Sequence, residues 1–119
     1  MDIVHRTVGN VTVLSIAGDI TLNGTGATGI ADRVRGELQQ GRDRVVLDLG
    51  HVRYVDSAGL GELVHALSAV RTRGGALKLL NVTRGLDALL VVTGLRTIFE
   101  CFDREAEALA SFDRHPVAR

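Results

Sequence analysis

The sequence predicts an α/β fold: a mixed sheet of four to five strands, parallel after an antiparallel first strand, with about four helices in the order ββαβαβαβα. Two observations carry this. The hydrophobic period switches repeatedly between two and 3.6 residues along the chain. At Arg44 to Leu49 it gives way to an almost unbroken apolar run, R-V-V-L-D-L, the pattern of a strand covered on both faces of a parallel sheet. A chain of 119 residues holds one domain, read as 1–113 with 114–119 as a flexible tail. Folding at that size buries roughly two-thirds of the unfolded chain's surface, so the core needs no disulfide or metal.

The elements follow in order. Ile3 to Ala17 reads as two strands broken at Gly9-Asn10, a two-residue hairpin turn whose residues both tolerate positive φ. The second strand carries Val11, Val13, Leu14 and Ile16. A polar, glycine-rich stretch, Thr21 to Gly29, leads into a helix on which Ala27, Ile30, Ala31, Val34 and Leu38 recur at i, i+3 and i+4 and which ends before Gly41. Gly26, Gly29 and Gly36 each weaken that helix by up to about 1 kcal/mol. Arg44 to Leu49 is the central strand. A short connector leads to Tyr54-Val55-Asp56-Ser57, after which Leu60, Leu63, Val64, Leu67 and Val70 form the apolar stripe of a helix ending at Gly74-Gly75. Ala76 to Leu80 is a third parallel strand, and Thr83 to Thr93 a helix with Leu86, Leu89 and Leu90 inward. Ile98 to Phe102 reads as a short edge strand, and Asp103 as the cap of a last helix with Ala106, Leu109, Ala110 and Phe112 inward.

Composition narrows the function classes. Basic and acidic residues number 14 each, so no global field draws the chain to nucleic acid or to anionic lipid. Aromatic residues make up 3% and tryptophan is absent, which removes the stacking platforms of single-stranded nucleic-acid binding. The single Cys101 forms no internal disulfide and, between Phe99 and Phe102, reads as a small buried hydrophobe. The start of the chain lacks a signal-peptide pattern and no apolar run approaches 18 residues, so the expected location is the cytoplasm. His5, His51, His65 and His115 are dispersed, with no second ligand at metal spacing. Without a G-x-x-x-x-G-K motif, any nucleotide belongs to a partner, and no metal or cofactor is expected. Lys78, the sole lysine, reads as an edge or stem-buried charge.

The most informative segment is Val52 to Gly61, V-R-Y-V-D-S-A-G-L-G. Ser57 lies where an extended segment meets a helix N-terminus, beside unpaired backbone N–H groups and the positive end of the helix dipole. A helix cap alone explains Asp56 and Ser57. It does not explain Gly59 and Gly61 in the first turns, at a combined propensity cost of about 2 kcal/mol. Glycines there strip side chains from around Ser57 and leave a backbone surface that a partner or a modifying enzyme could approach; cap and functional surface both stand at this point. A hydrolase elbow is disfavoured, because Val55 takes the first glycine's place in G-x-S-x-G and His115, the only downstream histidine, lies in the tail. A phospho-aspartate receiver built on Asp48 would want an acidic pair, of which only Asp19 is present, and a loop lysine, where Lys78 sits inside a strand.

The run V-L-D-L-G-H-V-R-Y-V-D-S-A-G-L-G resembles the signature of the STAS domain, in particular the small bacterial anti-sigma factor antagonists. The resemblance continues through I-A-G-D-I at Ile16 to Ile20, G-G-A-L-K-L-L-N-V at Gly74 to Val82 and T-G-L-R-T-I-F-E-C-F at Thr93 to Phe102. It implies a non-enzymatic binding module whose D-S serine, here Ser57 beside Asp56, is phosphorylated by an anti-sigma factor protein kinase, a GHKL-type ATPase, and reset by a serine phosphatase. A scaffold or regulatory STAS subunit of a stressosome-like assembly is the alternative. The family often has aspartate one residue beyond I-A-G-D-I; here that residue is Thr21, so the partner contact falls to Thr21 or Asn23. The expected contact surface comprises Asp19, Thr21 and Asn23 together with Asp56, Ser57, Ala58, Gly59, Gly61, Glu62 and His65. A phosphate adds about 1.5 to 2 negative charges at a helix end that accommodates them, so the fold should persist while the partner is repelled. A differential of about 2.7 kcal/mol changes affinity a hundredfold.

Overall fold

A computed structural model describes residues 2–21 and 29–113. Strands β1 (Asp2–Val8) and β2 (Val11–Ile20) form an antiparallel hairpin with Val8 opposite Val11. Only Gly9 of the turn takes positive φ, at 60°, the pattern of a II′ turn, where either turn residue could have done so. Then come α1 (Ile30–Gln39), β3 (Arg44–Val55), α2 (Ser57–Thr72), β4 (Ala76–Leu80), α3 (Arg84–Val92), a 3₁₀ turn at Leu95–Thr97, β5 (Glu100–Phe102) and α4 (Glu105–Ser111). The five strands lie in the order β1-β2-β3-β4-β5, antiparallel at the first pair and parallel thereafter. This is the predicted mixed sheet, with β3 at its centre.

Alternation along the strands divides the core between the two faces. Leu14, Ile16, Val45, Leu47, Leu49, Leu77 and Leu79 point to one face, where α1, α2 and α3 bury Val34, Leu38, Leu63, Leu67, Val70, Leu86 and Leu90 against them. Val11, Val13, Val46 and Leu80 point to the other, under Ala108 and Phe112 of α4.

Several expectations change. The connector expected between Leu49 and Tyr54 does not exist: β3 runs unbroken to Val55. Two register shifts against β2, between Ser15 and Ala17 and between Gly18 and Asp19, replace simple alternation by the exposed pairs Gly50-His51 and Arg53-Tyr54 around buried Val52, a pattern no period-two reading detects. The last helix is capped at Arg104 without a side-chain bond, not by Asp103. Its inward residues are Ala108, Ser111 and Phe112, while Ala106 and Ala110 are exposed and Leu109 half-buried. In so short a helix rich in alanine, the apolar stripe has no unique phase. Lys78 is not at an edge, because β4 pairs on both sides; it is 1% exposed. The Lys78 ammonium pairs with Glu100 and lies 5.3 Å from the centre of the Phe112 ring. The strand expected from Ile98 begins at Glu100, after the 3₁₀ turn. Ala27 and Gly26 of the expected first helix, and the tail 114–119, lie outside the described residues.

Candidate functional site

The carbonyl end of β2 meets the start of α2. The Asp56 amide donates to the Ile20 carbonyl at 3.3 Å, which fixes the chain as it leaves β3. The Asp56 side chain then accepts from the Gly59 amide at 2.7 Å, so Asp56 alone is the N-cap and Ser57 is the first helical residue. The cap that could have accounted for Ser57 therefore belongs to its neighbour. Ser57 is exposed, and among the described residues its hydroxyl has no hydrogen-bond partner. A hydroxyl at the positive end of a sixteen-residue helix, open to solvent and free of a structural duty, suits the attachment of a dianion.

The two glycines that follow have opposite reasons. A Cβ on Gly59 would drive into the Ile20 carbonyl oxygen and side chain, whereas one on Gly61 would meet nothing within 4 Å. Gly59, expected on the open surface, is buried and exists for the close approach of α2 to β2. Gly61 alone fits the expectation of a stripped, accessible flank, with Ala58 and His65 exposed on either side of it.

Glu62 departs from its expected place on that flank. Its Oε1 accepts from the Ala31 amide at 3.1 Å, and a Cβ on Gly29 would collide with the same carboxylate. The cap residue of α1, Gly29, offers no side chain of its own, so Glu62 serves as the cap from the neighbouring helix. At the other end of α1 the Arg73 guanidinium donates to the Leu38 carbonyl at 3.1 Å. An acid at the N-terminus and a base at the C-terminus of α1 match its dipole and lock α1 alongside α2. Sequence reasoning missed this pair, since a cap supplied by a different helix leaves no local spacing. The signal available was Gly29, a glycine where Ser, Thr, Asn or Asp would otherwise stand.

The structure brings Asp19, Thr21, Asp56, Ser57, Ala58, Gly61 and His65 to this end of α2 or its exposed flank; Asn23 lies outside the described residues. Asp19 pairs with Arg53 across the β2–β3 ladder at 3.4 Å. Asp48, the receiver candidate, lies within β3, accepting from the Gly50 amide at 3.1 Å and from Asn81 Nδ2 at 3.2 Å. No helix among the described residues is long and apolar enough to cross a membrane, and no three metal-ligating side chains gather among them.

A mixed five-stranded sheet whose long central strand delivers Asp-Ser to a glycine-bearing helix defines a small α/β domain of the STAS type. A family model described as "Mlab, STAS domain" matches residues 3–100. The chain belongs to the STAS domain family. An anti-sigma-B factor antagonist of Bacillus subtilis is 36% identical over 97 residues, covering 76% of this chain and 88% of that protein. Among solved structures, an anti-sigma-factor antagonist (STAS) domain protein from Planctomyces limnophilus superposes with a TM-score of 0.81 at 21% identity, covering 95% of this chain and 99% of the other. The anti-sigma factor antagonist SpoIIAA in its unphosphorylated form gives 0.71 at 14% identity over 97% and 100% of the two chains. The phosphorylated form of the Bacillus protein gives 0.71 at 17% identity over 92% and 98%. The solved structures share this fold.

Proposed function

We propose that this chain is a cytoplasmic, non-catalytic anti-sigma factor antagonist switched at Ser57. Unphosphorylated, it binds an anti-sigma factor that is a GHKL-type serine kinase and so frees a sigma factor; phosphorylated on Ser57, it lets go until a serine phosphatase restores it. The carrying observation is the exposed Ser57 hydroxyl at the first position of α2, with Asp56 alone as the cap. A kinase can reach that hydroxyl without undoing the helix start, and the added charge faces backbone N–H groups and the positive dipole end. The Bacillus subtilis relative named an anti-sigma-B factor antagonist supports the same role.

Binding responds because the partner reads the same surface. The docking face is assigned to Thr21, Ala58, Gly61 and His65 around Ser57, with Asp19 and Asn23 at its β2 side and Asp56, Gly59 and Glu62 supporting it from within. A phosphate pressed into that contact beside the Asp56 carboxylate meets desolvation and like-charge repulsion, and a differential of about 2.7 kcal/mol loosens the complex a hundredfold.

Incubation with the cognate kinase and ATP, followed by mass spectrometry, tests the assignment. One phosphate on the wild type and none on Ser57→Ala, with Ser57→Ala binding the kinase constitutively, is the expected result. Phosphate persisting on Ser57→Ala would move the site to Thr21, Thr25 or Thr28. Sedimentation of the free chain as a very large particle would favour the scaffold role instead.

A further inference from the structure

Strand β3 outruns its neighbour. Its ladder with β4 stops at Asp48 opposite Leu80, yet β3 continues to Val55 with only β2 paired to it among the described residues. Asn81, at φ 57°, turns the chain off the sheet at that point. Its side-chain amide and the Gly50 N–H both donate to Asp48 Oδ1, which closes the ladder. Backbone N–H and C=O groups of successive strand residues point alternately to either side, so the last part of β3 presents main-chain donors and acceptors where β4 would have run.

A groove of about 580 Å³ occupies that place, with Val52, Tyr54 and Val55 on the β3 side and Gly85, Leu86 and Leu89 on the α3 side. Tyr54 is 59% exposed, and a Cβ on Gly85 would meet nothing within 4 Å, so the groove is open to a side chain from outside. Among the described residues no acidic residue lines it, whereas Arg53 does, its side chain 78% exposed and paired with Asp19. Arg84 sits in the first turn of α3 between the lining residues Thr83 and Gly85 and makes no ion pair among the described residues. The carboxylates flanking these segments are engaged: Asp19 with Arg53, Asp87 with Arg96, and Asp56 with the Gly59 amide.

We propose that this groove takes an extended, acidic segment of a partner polypeptide, added as a strand to the free edge of β3. The unpaired edge selects an extended main chain, Leu86 and Leu89 receive its apolar side chains, and the Arg84 guanidinium, with that of Arg53 already shared with Asp19, favours carboxylates on it. The groove shares no lining residue with the Ser57 face, which it adjoins through the Arg53–Asp19 pair, and it requires no phosphorylation.

The probe is the peptide acetyl-Glu-Val-Glu-Val-Glu-Val-amide titrated into the full ¹⁵N-labelled chain. Saturable amide shifts are expected at residues 50–55 and 83–89, and the peptide with Lys in place of Glu should bind at least about tenfold more weakly. N-methylation of alternate peptide amides separates strand addition from apolar contact. Methylating the set that faces β3 should weaken binding about tenfold or more, and methylating the complementary set should leave it. Gly85→Phe should fill the groove and abolish the shifts; should that variant melt early, the two methylated peptides decide alone. Absence of saturation at millimolar peptide, identical behaviour of the two methylated sets, or shifts confined to Ser57 and His65 would overturn the proposal.

Discussion

Helix α2 starts from a carboxylate bonded to its own first turn and lies for sixteen residues against the larger core, burying Leu60, Leu63, Ala66, Leu67 and Val70. Helix α4 starts at Arg104 without a side-chain cap, runs seven residues, and covers the opposite face with Ala108, Ser111 and Phe112. One is held by a cap and a long buried stripe; the other by a much shorter buried set and, at its uncapped start, a half-exposed ion pair between Arg6 and Glu105. The difference teaches where a switch can sit. A covalent charge can be added at the start of α2 because that start is over-determined by the Ile20 carbonyl, the Asp56 cap and the packed stripe below. The start of α4 has no comparable support.

The largest effect expected from this contrast is at Leu63, fully buried on the α2 stripe. Leu63→Ala should lower stability by about 2 to 5 kcal/mol in a denaturant titration. Gly59→Ala comes next, at about 1 to 3 kcal/mol or somewhat more, because its Cβ would be forced onto the Ile20 carbonyl and backbone cannot step aside as a side chain can. Its partner glycine provides the control. Gly61→Arg should stay within about 1 kcal/mol of wild type in stability, since replacing a helical glycine removes a propensity penalty. It should weaken binding to the proposed anti-sigma factor kinase sharply by calorimetry. Equal melting losses for Gly59→Ala and Gly61→Arg would erase the distinction between packing glycine and surface glycine.

The contrast also marks what the sequence could tell. The apolar stripe of α2 repeats over four turns, so its phase and both ends were legible, as were the hairpin, β4 and the order of the sheet. The identity of the cap was not, because Asp56 and Ser57 are both good cap residues one position apart. Helical phase puts Gly59, four residues before Leu63, on the buried stripe and Gly61 off it; what presses on Gly59 is β2, whose nearest residue, Ile20, is 39 positions away. The same holds for Glu62, whose partner Ala31 is 31 residues distant. Helix α4 failed for a different reason: seven residues with three alanines fit more than one stripe, and the phase is decided by Phe112 settling over Lys78.

At the α2 start a smaller effect is expected. Asp56→Ala removes the bond to the Gly59 amide and should cost about 0.5 to 2 kcal/mol. Ser57→Ala, one position into the helix, should cost only a few tenths of that scale, because it removes no cap. Thermal melts of the two variants order them. If Ser57→Ala proved the more damaging, the hydroxyl would have a structural duty, and the reading of α2 as a helix start that leaves its serine free would fail.

The smallest effect belongs to α4. Glu105 is its first residue, and the Arg6 hydrogen bond holds the Glu105 carboxyl below its ordinary value of 4.5, with burial opposing. A carboxyl depressed in the folded state stabilises fully above its unfolded value and loses that contribution as pH falls through the folded one. Glu105→Gln should therefore lower stability at pH 7, match wild type well below pH 4.5, and differ less in high salt. The side chains of Arg6 and Glu105 are 43% and 36% exposed, so the loss at neutral pH should be about 0.2 to 1 kcal/mol. Amide hydrogen exchange locates it. Because α4 is the weakly anchored helix, its amides should exchange faster in Glu105→Gln while those of α2 hold close to the wild-type rates. If the α2 amides accelerated equally, the two helices would open as one unit, and the greater fixity assigned to the start of α2 would have no separate basis.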